Sequence, residues 1–210
     1  MLKQYLDGTK VEVGIDEAGR GCLFGPVCVG AVIWPPEDPL HKDGKPPEIK
    51  DSKKVSEKKR LHLKDYIETH ALAWSVQFIS HEEIDQTNIL KATMKGMHQC
   101  IDDIRKQVKI DTILVDGNHF KIYTDEDLEC IDHECVIGGD NTYKSIAAAS
   151  ILAKTHRDNY IYELVKDNPE LEKYGFKTNK GYGTKIHMDA LKEHGPIEGH
   201  RKSFKPCQHY

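Results

Sequence analysis

Read as apolar and polar positions, the chain alternates short β-branched runs with longer helical periodicities. Residues 11–16 and 27–34 are apolar runs on either side of a glycine-rich break, which predicts an antiparallel strand pair. A Pro- and Lys-rich loop over residues 35–50 follows, and then a helix from Ser56 to about residue 70, with Ser56 as the cap and Leu61, Leu63 and Ile67 among its apolar positions. Residues 71–79 alternate with period two, placing Trp74, Val76 and Phe78 on one face of a strand. From about residue 82 to 108, Ile84, Ile89, Met94, Met97, Ile101 and Ile104 recur at helical spacing and predict a long helical region. Two further strands are predicted at residues 110–116 and 135–140. A helix around residues 145–154, small-residued almost all round, suits close packing on a sheet. Strands alternating with helices indicate an α/β sheet.

Polar residues interrupt this pattern where strands run out. Asp16 and Glu17 end the first strand, Asp116 the fourth and Asp140 the fifth, and open α/β sheets place their sites beyond strand ends. Adjacent carboxylates suit a hard divalent cation such as Mg²⁺ or Mn²⁺, which takes oxygen ligands and shares them with substrate phosphate. After Glu17 comes a turn in which Gly19 and Gly21 flank Arg20, so backbone N–H groups and a fixed positive charge are offered to an anion or a sugar. Taken alone, Asp16 and Glu17 are equally readable as a solvated turn; four such acids are harder to attribute to surface decoration. A dinucleotide fingerprint is excluded, because the glycines fall at 19, 21 and 25 and a β-branched strand follows where a helix is required.

Composition changes the picture in two places. The net charge of −4 over 210 residues conceals two basic segments: residues 42–60 carry eight Lys/Arg against four Asp/Glu, and residues 177–205 seven against three. Such segments flanking an acidic remainder can line a nucleic-acid track, or can be plain solvated surface. The six cysteines are scattered without secretory context, so free thiols are expected; Cys130 and Cys135 lack a second ligand pair at finger spacing, which argues against zinc. No apolar run approaches a membrane span, and a soluble cytoplasmic protein is expected.

Gly14-Ile-Asp-Glu-Ala-Gly-Arg-Gly21, followed by Gly25-Pro26, resembles the signature of the type 2 ribonucleases H, specifically ribonuclease HII. Ribonuclease HIII usually reads Asp-Glu-Val-Gly-Thr-Gly there. The resemblance extends through Asp51-Ser-Lys-Lys54, Asn88 to Met94, Val115-Asp-Gly-Asn118, Gly139-Asp140 with Ser145 to Ile151, Arg157-Asp158, Gly181-Tyr-Gly-Thr184 and His200-Arg-Lys-Ser-Phe204.

The resemblance implies a ribonuclease H-like mixed β-sheet flanked by helices with a C-terminal helical appendage. Residues 1–165 would form the catalytic domain, and residues 166–210 would complete the substrate-binding surface. It implies an endonuclease cutting RNA in RNA–DNA hybrids, and cutting 5′ to ribonucleotides embedded in duplex DNA, with Mg²⁺ or Mn²⁺ as cofactor. By the same resemblance Asp16, Glu17, Asp116 and Asp140 are the metal-binding catalytic acids; Gly19, Arg20 and Gly21 read the ribose 2′-hydroxyl; Lys53 contacts phosphate; Tyr182 stacks on the following deoxyribose; and Asp158 assists the cluster. Asn179 stands where relatives often have His. The C-terminal sequence shows no Phe-Phe type clamp-binding tail, so a sliding-clamp partner is not expected and a monomer is. The alternative is a nucleic-acid-binding protein of this fold without turnover, for which a missing acid would be the sign; none is missing.

Overall fold

A computed structural model describes residues 2–41, 44–49, 52, 55–125 and 127–208. Its strands are β1 (Glu12–Ala18), β2 (Val27–Ile33), β3 (Ala73–Ile79), β4 (Thr112–Asp116) and β5 (Asp132–Val136). The helices are α1 (Glu57–His70), α2 (His81–Gln86), α3 (Ile89–Arg105), α4 (Lys144–Asp167), α5 (Phe176–Asn179) and α6 (Lys185–His194). The five strands form one mixed sheet in the order β3-β2-β1-β4-β5, antiparallel from β3 to β1 and parallel from β1 to β5. Helices flank this sheet, as the α/β alternation predicts. The glycine-rich turn joins β1 to β2, with Gly14 opposite Val32 and Ala18 opposite Cys28.

Strand alternation sorts the side chains to two faces. Val13, Ile15, Val29, Ala31 and Ile33 bury against Met94, Met97, Cys100, Ile101 and Ile104 of α3. The other face is stripped at the contact with α4: a Cβ on Gly14 would come within 2.3 Å of the Ser145 backbone, and one on Gly30 within 2.5 Å of the Ala149 carbonyl oxygen. Glycine in the strands and alanine in the helix therefore let α4 lie directly on β1 and β2. Helix α1 covers α4 from outside through Leu63, Tyr66 and Ile67.

Three expectations are corrected. The helical region over 82–108 is two helices, because Asn88 turns the chain and caps α3, its Oδ1 accepting from the Lys91 N–H at 2.9 Å. The small-residued helix does not stop near 154; α4 runs through Asp167, so residues 165 and 166 share one helix. The fifth strand ends at Val136, and Asp140 lies on a separate 3₁₀ turn, Gly139–Asn141, entered through Gly138 in the left-handed region at φ 68°.

Beyond α4 the chain builds a second apolar cluster from Ile161, Val165, Leu171, Tyr174, Phe176 and Leu191, with Leu23 and Phe24 of the glycine-rich turn inserted into it. Among the described residues no helix is long and apolar enough to cross a membrane, and all six cysteines are free.

Candidate active site

Parallel pairing of β1 with β4 matches Ile15 to Val115, so the next residue on each strand is a carboxylate, Asp16 beside Asp116. Asp16 lies on the α4 side of the sheet and is only 6% exposed. Its Oδ1 accepts from the Glu17 N–H at 2.7 Å, and Ser150 of α4 donates to the same carboxylate. Burial first, then the charges of Glu17 and Asp116, push the Asp16 carboxyl well above the usual range. Asp116 Oδ1 accepts from the Gly139 N–H at 2.7 Å, which ties the 3₁₀ turn to the end of β4 and brings buried Asp140 to the same end of the sheet. Glu17 pairs with Arg20 at 3.1 Å.

The donors collected here are carboxylate oxygens, which fit a hard divalent cation and not a thiolate- or imidazole-seeking one. A buried acid forced toward neutrality by two neighbouring acids is also a site where a cation would relieve repulsion. Among the described residues, no three acidic, His or Cys side chains already converge at ligating geometry. The carboxylates are thus gathered at adjacent strand ends but not closed on one point.

The glycine-rich turn is held by two fully buried arginines. Arg157 of α4 donates to the carbonyls of Pro26 at 3.0 Å, Phe24 at 3.0 Å and Lys180 at 2.8 Å. Arg201 donates to those of Gly25 and Arg20, each at 2.9 Å. Gly19, at φ 90°, is required by this packing, since a Cβ there would fall 2.0 Å from Arg157 Nε. Gly21 is different. It is exposed and a Cβ would meet nothing within 4 Å, so the space beside it is open to a ligand.

Tyr182 joins the site from the C-terminal part by pairing with Cys22 in an antiparallel bridge, and the residue is 40% exposed. Asn179 shapes the turn that carries it. Its Nδ2 donates to the Tyr174 carbonyl at 2.8 Å and to Thr184 Oγ1 at 3.2 Å, while its Oδ1 accepts from the Gly181 N–H at 2.8 Å. Behind this turn, buried His187 bonds the Tyr182 carbonyl through Nδ1 at 3.0 Å, and its Nε2 lies 3.0 Å from Nε2 of His200. One ring must donate and the other accept; the Ile197 N–H donates to His200 Nδ1 at 3.0 Å, so the His200 proton sits on Nε2 and points at His187. Burial lowers the His187 pKa and takes that of His200 down to about 4.

The expected site residues thus divide. Asp16, Glu17, Asp116 and Asp140 gather at one end of the sheet, with Gly19, Arg20 and Gly21 in the adjoining turn and Tyr182 bridged to it. Asp158 is held in ion pairs with Lys154 at 2.7 Å and Arg60 at 3.4 Å. Lys53 lies outside the described residues; its neighbour Ser52 is anchored, with its hydroxyl 3.0 Å from that of Ser150 and its carbonyl accepting from Arg60. The second basic segment is less available than its count implies. Arg201 is internal, and Lys177 and Lys185 are paired with Glu172 and Asp189.

Comparison with known proteins identifies the family and the fold. The family model described as Ribonuclease HII matches residues 13–207. The chain is 47% identical over 204 residues to the ribonuclease HII of Parabacteroides distasonis, covering 97% of this chain and 94% of that protein. It superposes with a TM-score of 0.68 on the ribonuclease HII in the PCNA complex from Archaeoglobus fulgidus, at 28% identity over 90% of this chain and 91% of that one. A likeness of fold alone links it to Bst-RNase HIII in complex with Mn²⁺, at 17% identity and a TM-score of 0.65, covering 97% of this chain and 71% of that one. With the family model matched over residues 13–207 and a relative 47% identical across nearly the whole chain, the chain belongs to the ribonuclease HII family and is a type 2 ribonuclease H.

Proposed function

We propose that the chain hydrolyses the RNA strand of RNA–DNA hybrids and cuts 5′ to ribonucleotides embedded in duplex DNA, leaving 3′-hydroxyl and 5′-phosphate ends. The observation that carries this reading is the β1–β4 pairing, which sets Asp16 beside Asp116 at the mouth of the glycine-rich turn. Asp16, Glu17, Asp116 and Asp140 would hold Mg²⁺ or Mn²⁺, which when bound supplies an activated water and neutralises charge on the phosphate. The rest of the work falls to the chain itself. The turn of Gly19, Arg20 and Gly21, fixed from behind by Arg157 and Arg201, presents backbone groups to the 2′-hydroxyl, the group that distinguishes RNA from DNA. Tyr182 offers its exposed ring to the next sugar, so the scissile phosphate is positioned between the ring and the acids.

In this reading residues 1–165 carry the chemistry, residues 166–210 complete the substrate surface, Lys53 touches phosphate, and the protein acts as a monomer in the cytoplasm to remove ribonucleotides from DNA. The Archaeoglobus relative was solved with PCNA, which weakens the expectation of no clamp partner drawn from the C-terminal sequence. The test is incubation with duplexes holding zero, one or four ribonucleotides, with Mg²⁺ and with EDTA. Cleavage is expected on the second and third with Mg²⁺ only. Cutting of the all-DNA duplex, or cutting in EDTA, would contradict the proposal.

A further inference from the structure

Ser150, Lys154 and Asp158 follow one another at four-residue spacing and so lie along one face of α4. The first of them reaches the Asp16 carboxylate. The second places its ammonium 5.7 Å from the centre of the Tyr182 ring, inside the range of a cation–π contact. The third takes that ammonium at 2.7 Å through Oδ1, while its Oδ2 takes Arg60 at 3.4 Å. Both partners are largely withdrawn from water, with side-chain exposures of 21% for Lys154 and 8% for Asp158. A lysine amine on a four-carbon stem ordinarily wanders; here a carboxylate, itself fixed by a second cation, holds it against an aromatic face.

We propose that Lys154 is a positioning residue for Tyr182, with Asp158 fixing the lysine, so that α4 sets the tyrosine ring and the Asp16 carboxylate in one register. Asp158 then acts at two removes from the substrate. The proposal rests on the reading of Tyr182 as the ring that stacks on the sugar after the ribonucleotide.

The test is a double-mutant cycle of Lys154→Met with Tyr182→Ala, measuring kcat and KM on a duplex holding one ribonucleotide, with melting temperature and the salt dependence of binding for each variant. Lys154→Met is expected to lower kcat/KM by about twofold to fivefold, the worth of a cation–π contact on a partly exposed ring. Lys154→Arg is expected to restore the loss, because it keeps a cation over the ring. In the Tyr182→Ala background, Lys154→Met is expected to cost nothing further. Additive losses together with a salt slope shallower by about one unit would make Lys154 a direct phosphate contact and overturn the proposal. Losses in step with a falling melting temperature in both backgrounds would make it a structural residue and equally overturn it. If Tyr182→Ala alone leaves kcat/KM unchanged, the stacking role fails first and the role of Lys154 fails with it; additive losses leave stacking intact and remove only Lys154.

Discussion

At the scale of single residues, the side chains with open space beside them separate from those that hold the frame. Tyr182 is exposed over 40% of its surface, whereas the turn beneath it is bound by Asn179 and His187. Tyr182→Ala is therefore expected to leave the melting temperature nearly unchanged and to lower cleavage at a single ribonucleotide by about tenfold to a hundredfold, the worth of one stacking contact. A packed turn tyrosine would instead lose activity in step with folded protein, and melting curves with rates from one preparation decide between them. Strand-end acids were legible in the sequence because an apolar run that stops at a carboxylate is a local pattern. The burial of Arg157 and Arg201 was not, because a charged residue defaults to solvent, and all their carbonyl partners but Lys180 lie in a turn more than 130 residues away, as the separations of Arg157 from Phe24 and of Arg201 from Gly25 show. Asn179 was equally opaque as a departure from its relatives; its three hydrogen bonds give it a role in shaping the turn.

At the scale of elements, the contact of β1 with α4 governs the site, since it carries both the glycine-lined face and Asp16. Gly14→Ala would set a Cβ 2.3 Å from helix backbone, which cannot yield as a side-chain tip can. It is expected to destabilise by about 1–3 kcal/mol or more, the cost of overpacking, read as a lower midpoint in urea. Gly21→Ala, in open space, is expected to keep the wild-type midpoint and lose cleavage. Equal midpoints for the two variants would show that α4 does not lie on β1 as described. The β1–β2 pair and α1 were readable from alternation and from the Ser56 cap. The turn that carries Asp140 was not, because Gly138 and Gly139 continue an apolar run in sequence while one of them takes a left-handed backbone that ends the strand.

At the scale of the whole molecule, the catalytic sheet and the C-terminal cluster are joined through α4, the glycine-rich turn and the His187–His200 pair. That pair gives the junction a pH dependence. His200 titrates near 6.5 when unfolded and at about 4 when folded, so between these values the unfolded chain binds more protons and stability rises with pH. The contribution is complete above about pH 6.5, is lost as pH falls toward 4, and is unchanged below that. Melting temperatures from pH 7 to 4 are expected to fall less steeply for His200→Asn than for the wild type. Parallel slopes would mean that His200 does not stay neutral in the fold.

All of these devices serve the carboxylates at the ends of β1 and β4, and Asp16→Asn tests them most directly, with cleavage and hybrid binding measured side by side in Mg²⁺. The expected result is near-complete loss of cleavage with affinity for the hybrid largely kept, because in the proposed function Asp16 is a ligand of the metal whereas affinity comes mostly from backbone phosphates. Turnover by Asp16→Asn at the wild-type rate would remove Asp16 from the site and contradict the assignment of the strand-end acids.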